Sequence, residues 1–335
     1  SKKSFTIFRS SFYDVATQYS QTLNNEKREI EMLTDETKLV HNPETPWSIS
    51  NKISALSKQD RIKYADKISD YLKSYGEDYK ANKFLSPKVV SINMDNIRDD
   101  NPESIVRDYC VTDKADGLSA LLLIPGEDLM IDNGMIEDYR YLIGCGFLID
   151  SNLNCYYTGI NFDTTDTYLF NGEFLNYTKS RNILNKYGIF DCYVYQNSDI
   201  CDLELISNDS TKETRISKAK EFIDNITQNK MLTHHIDVFV KNFIIGNNLG
   251  TTIFSASDQI WSKKDMFSYK LDGLIYTPCR LPVAYSDGLD YDINIWRTWA
   301  LNLKWKPPED NTIDFLLRFD KEVVSSYNDK NIYRN

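Results

Sequence analysis

From about residue 85 onward the chain is written in short apolar runs separated by turn residues: KVVSI, LSALLLI, YLIGCGFLI, TYLFNGEFL, IFDCYVY, DVFVKNFII and DGLIYT. Runs of this length, rich in β-branched and aromatic side chains, specify strands. Between them the sequence predicts one clear helix. Ser210 and Glu213 have capping-box spacing, and Ile216, Ala219, Ile223 and Ile226 trace an apolar stripe behind them. Strands so irregularly spaced, with so few intervening helices, do not fit a doubly wound parallel sheet. They predict an α+β domain of packed, largely antiparallel sheets with flanking helices. A chain of 335 residues with 41% hydrophobic residues has enough apolar material for the core of one large domain or two ordinary ones.

The first 80 residues read differently, as a polar and helical extension or linker. HNPETPWSIS at 41–50 interrupts regular structure with two prolines. After it, Ser57 and Asp60 form a cap, Ile62, Ala65, Ile68 and Leu72 recur at helical spacing, and Gly76 supplies a stop. Glu29 and Glu31 alternate in REIEML, a pattern that suits a metal-holding strand face or an ordinary solvated one. At the other end TIDFLLRFD at 312–320 reads as a further strand that needs partners to be stable.

Composition narrows the function. A formal charge of -10, from 39 Lys+Arg against 49 Asp+Glu, argues against tight nonspecific binding to a polyanion, though a local basic cleft is compatible with it. Cys110, Cys145, Cys155, Cys192, Cys201 and Cys279 are scattered without CxxC spacing and read as buried thiols of a reducing compartment. Adjacent His234 and His235 diverge on a strand and do not suit one metal ion. With no signal-peptide pattern and no apolar run near membrane-spanning length, a soluble cytosolic protein is expected.

The residues with chemical potential are dispersed. TDKADGLS at 112–119 sets Lys114 between an extended segment and a turn, where a lysine is either a solvated charge or a functional amine. Glu173 lies in NGEF and Asp272 in LDGLIY. In LKWKP, Lys304 and Lys306 share one side of a strand because side chains repeat with period two, and Trp305 between them faces the core. Three lysines can hold phosphates; two carboxylates can hold a divalent cation or ribose hydroxyls. Together they are the parts of a nucleotide site.

At these positions the chain resembles the covalent nucleotidyltransferase superfamily of RNA-capping guanylyltransferases and ATP-dependent polynucleotide ligases. The nearest likeness is to the guanylyltransferase domain in the multifunctional mRNA capping enzymes of large cytoplasmic DNA viruses, of asfarvirus, mimivirus and poxvirus type. TDKADG resembles the nucleophile motif, with Lys114 as the lysine that takes the nucleotide; Thr112, Asp113, Asp116 and Gly117 surround it. FNGEF resembles the next motif through Glu173. YGIFD resembles the one that carries a base-stacking aromatic, here Phe190. YKLDGLIY supplies Lys270 and Asp272, and LKWKP supplies Lys304 and Lys306. The resemblance implies a nucleotidyltransferase domain over 81–310 and the start of a truncated OB-fold segment over 311–335, the rest of the OB-fold domain being absent.

It also implies an activity. Lys114 would form a lysine-GMP intermediate from GTP, aided by Lys304 and Lys306, whose charge disfavours a further ammonium and meets the phosphoryl oxygens in the transition state. Glu173 and Asp272 would hold Mg²⁺ or Mn²⁺. GMP would then pass to the 5′-diphosphate end of RNA, with RNA triphosphatase and cap methyltransferase domains or subunits as partners, in host cytoplasm or viral factory, with packaging in the virion compatible. The alternatives are an ATP-dependent DNA or RNA ligase and a non-catalytic GTP-binding regulatory subunit. One departure stands out. Many relatives have an arginine five residues after the nucleophile that contacts the sugar, and this chain has Ser119; Arg140 and Arg181 are the candidates to replace it.

Overall fold

The computed structural model describes residues 84–101, 103–127, 143–151, 155–228, 236–246, 250–285, 298–310, 322–327 and 330–334. The helix expected over 57–76, Glu29 and Glu31, Arg140, the histidine pair and the strand expected at 312–320 lie outside them.

Two sheets make up the larger unit. The five-stranded sheet has the order β1 (Lys88–Ser91), β12 (Thr298–Trp305), β11 (Leu271–Pro278), β2 (Tyr109–Ala115), β10 (Ile244–Ile245). The seven-stranded sheet runs β5 (Cys155–Asn161), β4 (Cys145–Asp150), β3 (Leu118–Ile124), β6 (Tyr168–Tyr177), β7 (Ile183–Tyr195), β8 (Ser198–Asp199), with β9 (Asp237–Val240) also paired to β7. Every pairing is antiparallel except β1 with β12 and β7 with β9. The α+β architecture read from the sequence is therefore the one observed.

The strands alternate faces, and the alternation builds two cores with a polar layer between them. On the seven-stranded sheet Ala120, Leu122, Ile124, Phe170, Phe174 and Ile189 are buried against helix α1 (Arg215–Gln228) through Ala219 and Phe222. The Phe170 and Phe222 rings lie 4.6 Å apart, centroid to centroid. Each such side chain contributes roughly 1.5–3 kcal/mol by leaving water. The five-stranded sheet buries Tyr109, Val111, Leu274, Tyr276 and Leu303 against Ile253, Ala256 and Ile260 of helix α2 (Ile253–Trp261). Trp305 packs here too, edge-on to Trp261 at 5.0 Å.

Three local expectations are corrected. Helix α1 is capped four residues later than Ser210 and Glu213 suggest: Thr214 Oγ1 accepts from the Ser217 amide at 3.1 Å, and Ser217 Oγ accepts from the Thr214 amide at 2.8 Å. This reciprocal pair satisfies two orphan helix donors. Glu213 instead meets Lys218 at 2.6 Å. Helix α2, which was not expected, begins at Thr252, whose hydroxyl accepts from the Ser255 amide. The run DVFVKNFII, read as one strand, divides into β9 and β10 in different sheets, with 241–243 crossing between them.

The second unit, 306–335, contains an antiparallel hairpin of β13 (Glu322–Tyr327) and β14 (Lys330–Arg334). No described helix is long and apolar enough to cross a membrane. Cys110, Cys145, Cys192, Cys201 and Cys279 are free thiols and buried.

Candidate active site

Lys114 stands where the chain changes sheets. Strand β2 belongs to the five-stranded sheet, Asp116 and Gly117 make the turn, and β3 continues in the seven-stranded sheet. The turn is tight against its neighbour: a Cβ on Gly117 would lie 2.7 Å from Glu173 Cγ and 2.8 Å from the Phe174 carbonyl oxygen. Glycine is the residue that lets backbone approach this closely. Thr112 and Lys114 share the face of β2 opposite Val111 and Ala115, and that face looks into the space between the sheets.

That space is a cavity of about 740 Å³. The five-stranded sheet lines it with Thr112, Asp113, Lys114, Ile275, Thr277, Asn302 and Lys304; the seven-stranded sheet lines it with Ser119, Asn171, Glu173, Phe190 and Tyr193. A volume of this size accommodates a nucleotide.

Two bulges aim key side chains. On β11, Leu271 pairs with Ala115 and Gly273 with Lys114, so Asp272 is the extra residue, and its carboxylate forms an ion pair with the Lys114 ammonium. Both side chains are about a fifth exposed. On β7, Ile189 pairs with Gly172 and Asp191 with Asn171, leaving Phe190 unpaired and part-buried at the cavity wall. Extra strand residues re-aim side chains in this way, commonly beside active sites.

The sequence reading missed Lys241. It sits at the crossing between β9 and β10, fully inside the protein, with Nζ donating to Glu173 Oε2 at 2.9 Å and to the Asp113 carbonyl oxygen at 3.1 Å. Asp113 Oδ2 lies 3.2 Å from the same nitrogen and accepts from the Tyr269 hydroxyl at 3.1 Å. Burial works against the Lys241 ammonium, but the Glu173 and Asp113 carboxylates outweigh it and raise its pKa. The signal was a lone charge in the middle of DVFVKNFII, a run read as one continuous strand.

The other expected residues fall in different places. Lys304 pairs with Ile275 across β12 and β11 and reaches the cavity, whereas Lys306 belongs to the second unit. Thr112 lines the cavity with its hydroxyl proton committed elsewhere: Oγ1 donates to the Asn242 carbonyl at 2.7 Å. Asp116 and Lys270 are exposed and absent from the cavity wall; the Asp116 amide donates to the Lys270 carbonyl at 3.0 Å. Arg181 is exposed in the turn between β6 and β7 and does not line the cavity, so among the described residues it does not replace the sugar-binding arginine. The group paired with Lys114 is the Asp272 carboxylate, and Lys304 lines the same cavity.

Comparison with known proteins adds a lineage. The chain is 28% identical over 294 residues to a probable mRNA-capping enzyme of Acanthamoeba polyphaga mimivirus, covering 76% of this chain and 23% of that protein. The chain carries a domain of the covalent-nucleotidyltransferase superfamily. The mRNA-capping enzyme alpha subunits of Candida glabrata and Kluyveromyces lactis match this chain at 24% and 25% identity, over 70% and 73% of its length. In each it spans 49% of the relative's length, so the chain covers at most about half of the curated relatives it matches. Among solved structures it is similar to a mycobacterial DNA ligase D complexed with ATP and MES, and to the ligase domain of the M. tuberculosis enzyme. Both are 11% identical, each match covers 66% of this chain and 60% of the other, and the TM-scores are 0.36 and 0.35. No family model matches the sequence.

The two expected metal carboxylates are engaged by different cations, Glu173 by Lys241 and Asp272 by Lys114. No group of three or more His, Cys, Asp or Glu suited to a metal ion occurs among the described residues. A magnesium-type site needs only one or two carboxylates when substrate phosphates complete its shell. Asp272, part-exposed beside Lys114, fits that role; Glu173, held by a buried lysine, does not.

Proposed function

We propose that this domain is an mRNA guanylyltransferase that forms a covalent lysine-GMP intermediate on Lys114. The observation that carries the reading is the placement of Lys114, paired to Asp272, in the wall of a nucleotide-sized cavity that also presents Lys304, Glu173 and Phe190. The capping enzymes among its relatives support the choice of GTP and RNA.

In this reading GTP enters with its base against Phe190 and its phosphates toward Lys114 and Lys304. The ion pair with Asp272 opens, the Lys114 ammonium gives up one proton to solvent, and the neutral Nζ attacks the α-phosphorus. A P–N bond forms, the P–O bond to the β-phosphate breaks, and pyrophosphate leaves; the amine proton passes to solvent. Lys304 offers positive charge to the phosphoryl oxygens, an interaction that strengthens in the transition state. Asp272 would hold a divalent cation, which would supply further charge neutralisation when bound. In the second half-reaction a terminal β-phosphate oxygen of diphosphate RNA attacks the same phosphorus. The P–N bond breaks and Nζ regains a proton. An RNA triphosphatase would supply that diphosphate end, and a cap methyltransferase would act on the product.

The second reading is an ATP-dependent polynucleotide ligase, because the Lys114, Asp272 and Lys304 arrangement serves adenylyl transfer equally well. Incubation with α-labelled GTP and ATP in separate reactions, with Mg²⁺ or Mn²⁺, decides between them on a denaturing gel. Label from GTP alone is the expected result. Label from ATP alone would make the domain a ligase, and GTP binding with no adduct would make it a regulatory module.

A further inference from the structure

Among the described residues of the cavity wall, one buried side-chain polar atom has no hydrogen-bond partner. Asn171 is 1% exposed, and its Nδ2 donates to Ser86 Oγ at 3.0 Å and to the Tyr193 hydroxyl at 2.8 Å. These two bonds fix the carboxamide and leave Oδ1 buried and without a partner, in a residue of the cavity wall. A buried acceptor with no donor is costly to fold around, and such atoms are few in native proteins. A ligand that supplies the donor removes the cost.

Its position says which part of a ligand could do so. Asn171 and Glu173 are two residues apart on β6 and share its cavity face, roughly 7 Å apart along the strand. Glu173 is at the Lys114 end, opposite Ser119 and in contact with the Gly117 turn. Asn171 is farther from that end, opposite Asp191 and beside the bulge that turns Phe190 inward. Phosphates near Lys114 place the sugar near Glu173 and the base near Asn171.

We propose that Asn171 Oδ1 accepts a hydrogen bond from the 2-amino group of a guanine stacked on Phe190, making Asn171 a specificity-determining residue. This rests on the cavity being a guanine-nucleotide site. A site built around such an acceptor rejects a ligand that lacks the donor, because the acceptor is then buried unpaired. Inosine triphosphate differs from GTP only by that missing amine.

The test compares GTP and inosine triphosphate in two ways: calorimetric binding in EDTA, and the rate of covalent labelling with Mg²⁺. Wild type is expected to favour GTP by about ten- to a hundredfold in binding. Asn171→Ala should reduce that ratio to near one, and Asn171→Asp, which keeps an acceptor oxygen, should preserve a preference. Equal binding of the two nucleotides by wild type would overturn the proposal without requiring any variant to fold. A preference that persists in a folded Asn171→Ala would overturn it too. So would an Asn171-dependent loss with 2′- or 3′-deoxy-GTP in place of the inosine effect, which would assign the acceptor to the ribose. GTP binding without a lysine adduct would refute the catalytic reading and leave this one standing; no GTP binding at all would refute both.

Discussion

Lys241 Nζ lies 2.9 Å from Glu173 Oε2 and 3.2 Å from Asp113 Oδ2, joining three chain segments inside the wall of the cavity. Without this cation Glu173 loses its buried partner and Asp113 keeps only the Tyr269 hydroxyl on Oδ2. Lys241→Met is expected to destabilise the fold by about 3–5 kcal/mol, the usual effect of removing one partner from a buried ion pair. Adding Glu173→Gln to that variant should recover part of the loss. Urea unfolding of the single and double variants measures both, and a loss below about 1 kcal/mol would show the network to be dispensable.

Gly117 tests the closeness of the turn to Glu173. Gly117→Ala places a methyl against Glu173 Cγ and the Phe174 carbonyl, and the backbone carbonyl cannot rotate away. An overpacking cost of about 1–3 kcal/mol and a displaced Glu173 are expected. The covalent labelling rate should fall more than tenfold in protein that remains folded by circular dichroism; an unchanged rate would mean that the position of Glu173 does not matter to the first step.

Burial raises the pKa of the Tyr109, Tyr187, Tyr193, Tyr269 and Tyr276 hydroxyls. The folded state thus favours their neutral form, and Lys241 is likewise held in its protonated form. Folded pKa values above the unfolded ones give stability that is present below about pH 10 and is lost as the pH rises beyond it. Tyrosinate absorbance should show a first, graded phase from exposed tyrosines and a later cooperative phase coincident with loss of circular dichroism. A single non-cooperative titration near pH 10 would contradict the buried placements.

The charge of -10 predicts that this chain holds RNA weakly when alone. Short diphosphate RNA should bind with a dissociation constant above the micromolar range at physiological salt, tightening as salt is lowered. A submicromolar complex at physiological salt would mean that a basic surface compensates for the average charge.

Much of the fold was legible because alternating side chains report a strand with two different faces. LSALLLI and FNGEF become β3 and β6 with Phe170 and Phe174 on the core side and Asn171 and Glu173 on the other. Local spacing could not show the bulges at Asp272 and Phe190, since a bulge is a property of two paired strands, and at Asp272 the partner strand β2 is far away in sequence. Lys241 was hidden for the same reason: its carboxylate partners lie 68 and 128 residues away. The cap of α1 was misplaced because Ser210 and Thr214 both begin acceptable capping sequences, and tertiary contact chose the second. Arg215, which follows that cap, is fully buried and donates to Asp191 Oδ1 at 2.6 Å, so the helix start is set by the strand it packs against.

The most direct test of the central claim is mass spectrometry of the protein after incubation with GTP and Mg²⁺, with peptide mapping of any adduct. The account predicts one GMP added in phosphoamide linkage to Lys114, and none on a folded Lys114→Ala variant. GMP on another residue, or undiminished labelling of that variant, would contradict it.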